Sequence, residues 1–300
     1  REYVLRHGQL ALLKKREKVL PKDDSIAMVT LAEGTAIGSY TVKSGDTLWV
    51  MMVAMFTTLL NTGLRKCAVS AAHPDDLFAM LSNLTWWIAG EHVAEPTMEQ
   101  MMNLPKGSFA AIVPPMGDKT DAYGDVFGSD IMYFAYDPDD VLGCARWLRL
   151  REISAPAPGL RASTPLFSPD GGGTPFTARY LDNFFVAWLT TVVGPTRAVE
   201  HSLHSCRATL ASALGVLNTN TDVIQALCRW KSPQSVAQYR RLTPFAYASL
   251  VRTAMATDAS QAPAGPCTDD DDAMAALDAE VCEMDGATAS SSKSAAHNDA

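Results

Sequence analysis

The chain is 300 residues long, 47% hydrophobic and carries a formal net charge of −8. That apolar share suffices for one substantial core with extensions. The leading residues, REYVLRHGQLALLKKREK, have no apolar h-region and so exclude a secretory signal. The longest apolar run, Leu48 to Leu60, is 13 residues and too short to span a bilayer.

Six cysteines, at 67, 144, 206, 228, 267 and 282, show no C-x-x-C spacing. They read as reduced thiols of an intracellular protein rather than a disulfide or zinc framework. The absent initiator Met reads as a fragment or a processed chain. Charge is unevenly spread. Residues 256–300 hold ten acidic residues and one basic, and removing that net −9 from −8 leaves +1 for the first 255. Within them, Arg1 to Lys22 has seven Lys/Arg against two Glu, which permits a nucleic-acid partner without requiring one.

In chain order, Arg1 to Lys22 is partly helical, ending in a basic cluster at Lys14, Lys15, Arg16 and Lys18. Asp24 to Glu33 is a short amphipathic helix, and 34–45 is loop or extended chain. Asp46 caps an apolar helix to Leu60, which Asn61-Thr62-Gly63 ends with the glycine expected just past a helix. Leu84–Ala89, Phe109–Val113 and Ile131–Ala135 have strand character, with a Gly/Asp-rich turn around Lys119 before the third. A helix is expected from Asp137-Pro138 to about Glu152, with Asp139 and Asp140 in its positive first turn. Pro156 to Gly173 is a loop whose Gly171-Gly172-Gly173 lacks the context of a phosphate loop. Phe176 to Val193 is another apolar helix, stopped by Gly194-Pro195.

From about Glu200 to Leu217 a helix is expected, its stripe formed by Leu203, Cys206, Leu210, Leu214 and Leu217. His204 and Arg207, three apart, share a face of it. Asp222 with Gln225 has capping-box spacing and opens a short second helix. Ser232-Pro233 opens a third, carrying Tyr239. Thr243-Pro244 starts a last helix to about Ala256, followed by an Ala/Ser-rich acidic tail over 257–300 that cannot form a packed core.

This H-x-x-R pair, a short helix ending in Arg229-Trp230, then Ser-Pro and a tyrosine nine residues after the tryptophan, resembles the catalytic end of the tyrosine recombinases, the phage-integrase family of DNA strand-exchange enzymes. His204, Arg207, Trp230 and Tyr239 match that family's motif in order and spacing. Thr62-Gly63-Leu64-Arg65 after an apolar helix is similar to its first arginine motif, and Lys119 is the match to its hairpin lysine, with Lys106 as the nearby competitor. Where the family usually carries Glu or Asp three residues after the first arginine, this chain has Ala68, which removes a group that would orient Arg65.

The resemblance implies an α+β fold, mainly helical, around a small antiparallel sheet of about three strands, with the catalytic domain over 23–256 and 1–22 a basic linker or remnant of a core-binding domain. It implies a site-specific recombinase or integrase of mobile-element type that cleaves and rejoins DNA through a 3′-phosphotyrosyl intermediate, with no cofactor, metal or ATP. Arg65, Lys119, His204, Arg207, Trp230 and Tyr239 would form the catalytic set. Lys14, Lys15, Arg16, Lys18, Arg229 and Lys231 are candidate DNA contacts, in which Lys and Arg give salt-dependent affinity without sequence readout. Double-stranded DNA and a tetrameric synapse of protomers are the implied partners, in the nucleus of a eukaryotic host or otherwise in the cytoplasm. Type IB topoisomerase-like relaxation, and a decayed module that only binds DNA, are the alternatives.

Overall fold

A computed structural model of the chain describes residues 19–71, 77–115, 130–155, 159–217, 219–229 and 244–261. All of these belong to one unit spanning Glu17–Ala262. Within it the helices are α1 (Lys22–Val29), α2 (Thr47–Thr62), α3 (Met98–Met102), α4 (Cys144–Ile153), α5 (Ala178–Val193), α6 (Pro195–Ala198), α7 (Ser205–Val216), α8 (Thr221–Leu227) and α9 (Pro244–Ala256). The strands are β1 (Ala36–Ile37), β2 (Tyr40–Thr41), β3 (Leu84–Ile88), β4 (Glu91–Val93), β5 (Phe109–Ile112) and β6 (Met132–Ala135). The architecture is mixed α and β, with about half of the described residues helical and the strands confined to small antiparallel sheets.

Helix α2 is the central element. Asp46 caps it by accepting from the Trp49 amide, and the Tyr40 hydroxyl donates to the same carboxylate at 2.7 Å. Every residue from Trp49 to Thr62 is buried, as expected of a helix that is apolar on all sides. On one side it meets α5, where the Trp49 and Trp188 rings lie 5.1 Å apart and Phe56 and Trp188 5.3 Å apart. The Trp188 indole donates to the Met28 carbonyl, fixing α1 against the same layer. On other sides α2 packs against α4 and α7, and its Asn61 amide bridges the Thr57 and Leu142 carbonyls.

The larger sheet has the order β4-β3-β5-β6, antiparallel throughout. Its register pairs Trp86 with Ala110 and Ala110 with Phe134. Helix α9 lies against β6, with Tyr247 6.5 Å from each of the Tyr133 and Phe134 rings. The expected three strands are present, and β4 is a fourth that the sequence reading missed. With only Glu-His-Val and two exposed positions, it has no alternating apolar signal.

Four helix boundaries differ from expectation. Residues 137–143 are not helical, because the Asp137 and Asp140 carboxylates accept from the Asp139 and Leu142 amides and hold the chain in turns, so α4 starts at Cys144. The helix expected from Glu200 starts at Ser205 instead. There the Ser202 amide donates to Ser205 Oγ and the His204 amide to Ser202 Oγ, competing with helical pairing. The second helix of that region is capped by Asn220, which accepts from the Asp222 amide, and not by Asp222. The helix expected over Asp24–Glu33 is likewise shifted to Lys22–Val29.

A buried ion pair holds the sheet to the helices. Arg161 binds Glu152 through two nitrogens, at 2.7 and 2.8 Å, and also donates to the Leu81 and Leu84 carbonyls. The Trp86 indole donates to the same carboxylate at 3.3 Å. Arg151, fully buried next to this pair, donates to the Leu166 and Pro165 carbonyls, and burial pushes its guanidinium down to about 10. It therefore still carries its charge at neutral pH, and Glu152 is the carboxylate that compensates it and Arg161. Glu152→Ala leaves two buried guanidiniums without a counter-charge and is expected to destabilise the fold by about 3–5 kcal/mol, measured by urea unfolding. A loss below about 1 kcal/mol would show that the pair is not an organising contact.

Candidate functional site

Gly63 ends α2 in the left-handed conformation, φ 62°, donating its amide to the Leu59 carbonyl. The turn is tight because of what lies outside it. A Cβ at Gly63 would stand 3.4 Å from Cys228 Cα, 3.5 Å from a Leu210 methyl and 3.6 Å from Arg207 Cγ. The chain two residues before Arg65 is thus in contact with the side-chain stem of Arg207 and with the end of α8. Segments separated by more than a hundred positions in the sequence meet at one glycine.

From Gly63 the chain passes through Leu64, buried and with its amide on Thr62 Oγ1, to the half-buried Arg65. Arg65 opens a single 3₁₀ turn, Lys66–Ala68, whose Ala68 amide donates to the Arg65 carbonyl at 3.0 Å. Ala68 offers no carboxylate, but other contacts hold the turn. Lys66 pairs with Asp182 of α5 at 2.6 Å, Ser70 Oγ donates to the Lys66 carbonyl, and the Ala79 amide donates to the Ala68 carbonyl. The Lys66–Asp182 pair is partly exposed and adds little energy by itself. Its effect is to tie the turn to a helix that is locked into the core.

Arg207 lies in the first turn of α7 and is 7% exposed. Its Nη2 donates to the Cys228 carbonyl at 3.1 Å. His204 sits half-buried just ahead of the helix, its carbonyl accepting from the Arg207 and Ala208 amides at 3.0 and 3.3 Å. The stripe that seats α7 is buried at Leu203, Cys206, Leu210 and Leu214, whereas Leu217 is 36% exposed because the helix has ended. A guanidinium and a histidine beside the start of a helix, whose dipole favours negative charge, make an environment suited to an anion.

Cys228 closes α8, and burial pushes its thiol up to about 12. Arg229 follows in the left-handed conformation, φ 55°, one of two non-glycine residues with positive φ among those described. It is 7% exposed, with Nη1 3.5 Å from the Asp130 carbonyl. Burial raises the Tyr247 phenol far above its ordinary value, partly offset by the nearby Arg229 charge. Lys106, the alternative to Lys119, pairs with Asp137 at 2.9 Å and Asp139 at 3.3 Å, and the Asp137 contact raises its pKa.

Of the residues singled out in the sequence, the structure brings the Arg65 turn, His204, Arg207 and Arg229 into one region. Lys119, Trp230 and Tyr239 lie outside the described residues, as do Lys14, Lys15, Arg16, Lys18 and Lys231. Lys119 belongs to the connection between the paired strands β5 and β6, and Trp230 follows Arg229 directly. Sequence reasoning missed the role of the Cys228 carbonyl and the left-handed Arg229, since nothing in an Arg codon position announces positive φ. Among the described residues no group of His, Cys, Asp or Glu could hold a metal, and no helix is long and apolar enough to cross a membrane.

What the fold defines is a mixed, mainly helical α and β protein with two arginine-bearing segments converging at a glycine turn. No family model, curated protein or solved structure matches the chain significantly.

Gly63→Ala puts an L side chain into a left-handed turn, with its methyl in van der Waals contact with Cys228. It is expected to cost about 1–2 kcal/mol. The same substitution at Gly173, where positive φ is not adopted and nothing lies within 4 Å, is the control and should leave the unfolding midpoint in place. In the native protein at pH 8, iodoacetamide should modify the exposed Cys67 and leave Cys144, Cys206 and Cys228 intact, by peptide mapping. Rapid alkylation of Cys228 would show that the end of α8 is open.

Proposed function

We propose that the chain is a DNA strand transferase of the tyrosine-recombinase type, with the catalytic fold of that family, which cleaves and rejoins duplex DNA through a 3′-phosphotyrosyl intermediate. The observation that carries this reading is the contact of Gly63 with the Arg207 stem and Cys228, which brings the Arg65 segment to the start of α7. The supporting pattern is the ordered set H-x-x-R, Trp and Tyr in the chain that follows.

The chemistry asked of such a site is attack by a phenol on a phosphodiester. Three obstacles oppose it: the anionic electrophile, a nucleophile with a pKa near about 10 and a poor alkoxide leaving group. Arg65 and Arg207 address the first by binding the non-bridging oxygens, where negative charge grows as phosphorus becomes five-coordinate. Burial of Arg207 strengthens that interaction, because little water competes for its guanidinium. His204 and the Trp230 indole donate further hydrogen bonds, and the indole, a donor only, orients without taking a proton. Tyr239 releases its phenol proton to solvent, favoured by the positive charge of the two guanidiniums, and its Oη forms the bond to phosphorus as the bond to the 5′-oxygen breaks; Lys119 gives the leaving oxygen its proton. Rejoining reverses each step, with the phosphotyrosyl bond conserving the energy of the broken linkage. Double-stranded DNA is the substrate, and exchange of strands requires protomers assembled on it.

A nicked duplex that loses its short 5′-hydroxyl fragment on cleavage traps the covalent product. The wild-type chain should yield a protein–DNA band stable to denaturant, and Tyr239→Phe none. Arg207→Ala should slow its formation by roughly 10²–10³-fold. An adduct that persists in Tyr239→Phe would overturn the assignment. Duplex binding without any adduct would mark a module that only binds DNA, and plasmid relaxation by a monomer would mark a topoisomerase.

A further inference from the structure

Arg229 is the residue whose conformation is hardest to account for by packing alone. It stands one position past the end of α8, where a left-handed backbone is common but glycine usually supplies it. An arginine there gives up backbone stability that a glycine would keep. Its side chain does not recover the loss in solvent, being 7% exposed. It runs inward past Tyr247 to the Asp130 carbonyl, at the head of β6. The same turn aims the preceding carbonyl, that of Cys228, at Arg207 Nη2.

We propose that Arg229 is a positioning residue for the two-arginine site and not one of its DNA contacts. Its left-handed backbone presents the Cys228 carbonyl to Arg207, and its guanidinium pins that turn to Asp130 at the edge strand of the sheet. The carbonyl restricts the Arg207 fork to one orientation. Without the pin, the turn keeps its conformation but gains freedom relative to the sheet, and Arg207 loses its fixed aim. Supporting groups of this kind typically alter activity by about 10–100-fold when removed. The inference rests on the function proposed above, since a positioned guanidinium matters only if it meets an anion.

The test is Arg229→Gly, which keeps the left-handed turn and deletes the guanidinium, with Arg229→Lys as the conservative partner. Three quantities are read on full-length protein: the thermal midpoint, duplex affinity as a function of salt, and the rate of adduct formation on the nicked duplex. For a positioning residue, Arg229→Gly melts at or above the wild-type temperature and keeps the wild-type salt slope. Its adduct forms roughly 10–100-fold more slowly, and Arg229→Lys, which can still donate to Asp130, recovers most of the rate. A salt slope reduced by about one would identify a phosphate contact and overturn the proposal. An unchanged adduct rate, or a lower melting temperature that accounts for the loss, would also overturn it. A wild-type chain that forms no adduct would reject the strand-transfer reading itself, and with it any role for Arg229 in that reaction. That outcome is distinguishable because it appears before any variant is made.

Discussion

The contact on which the site depends is a steric one. The end of α2 lies so near Cys228 and the stem of Arg207 that a Cβ at Gly63 would already stand in van der Waals contact with both. A left-handed turn that stops the helix coincides there with the approach of a second backbone, and glycine adopts that turn without steric cost. Everything else in the region follows from that approach. Arg65 leaves the turn on a short 3₁₀ segment, Arg207 enters α7 beside it, and Arg229 caps α8 against the same surface.

Such a convergence needs a rigid reference, and α2 provides it. Its burial on all sides removes rotational freedom: Trp49 and Phe56 are held by Trp188, and Asn61 is held by the Leu142 carbonyl. The Arg161–Glu152 pair serves the same end for the sheet, joining α4 to the carbonyls that precede and open β3. A buried pair of this kind is no proof of extra stability over an apolar substitute. What it supplies is directional: a fork of donors that accepts one arrangement of helix and strand. The site therefore sits between two bodies, each fixed by contacts that share no residue with it.

Much of this architecture is written locally in the chain, and some of it cannot be. The capped helix from Asp46 to Gly63 was legible because its signals, a side-chain acceptor at one end and a glycine at the other, act over three or four residues. The three expected strands were legible from short apolar runs between turn residues. The start of α7 was not, because Ser202 and Ser205 offer the backbone an alternative to helical pairing that a periodicity of apolar residues does not register. The turns at Asp137 and Asp140 misled in the same way, since aspartate is favourable both in a first helical turn and in a turn that precludes one. The pairing of Glu152 with Arg161 crosses a loop, and no local rule couples them. For the candidate site, motif spacing singled out Arg65, His204 and Arg207, whereas the carbonyl that accepts from Arg207 belongs to a segment 21 positions away.

Ala68 shows how an expectation from one position can be answered by a different part of the structure. A carboxylate there would orient the neighbouring arginine directly. In its absence the constraint moves to the backbone: the turn is held by Lys66 on Asp182, by Ser70 on the Lys66 carbonyl and by the Ala79 amide on the Ala68 carbonyl. Backbone anchoring limits where Arg65 starts, and its half-buried position limits where it can go. A side chain with few available directions pays less entropy when it closes on an anion. The orienting function of an acidic neighbour and the restriction imposed by a pinned turn are therefore partly interchangeable.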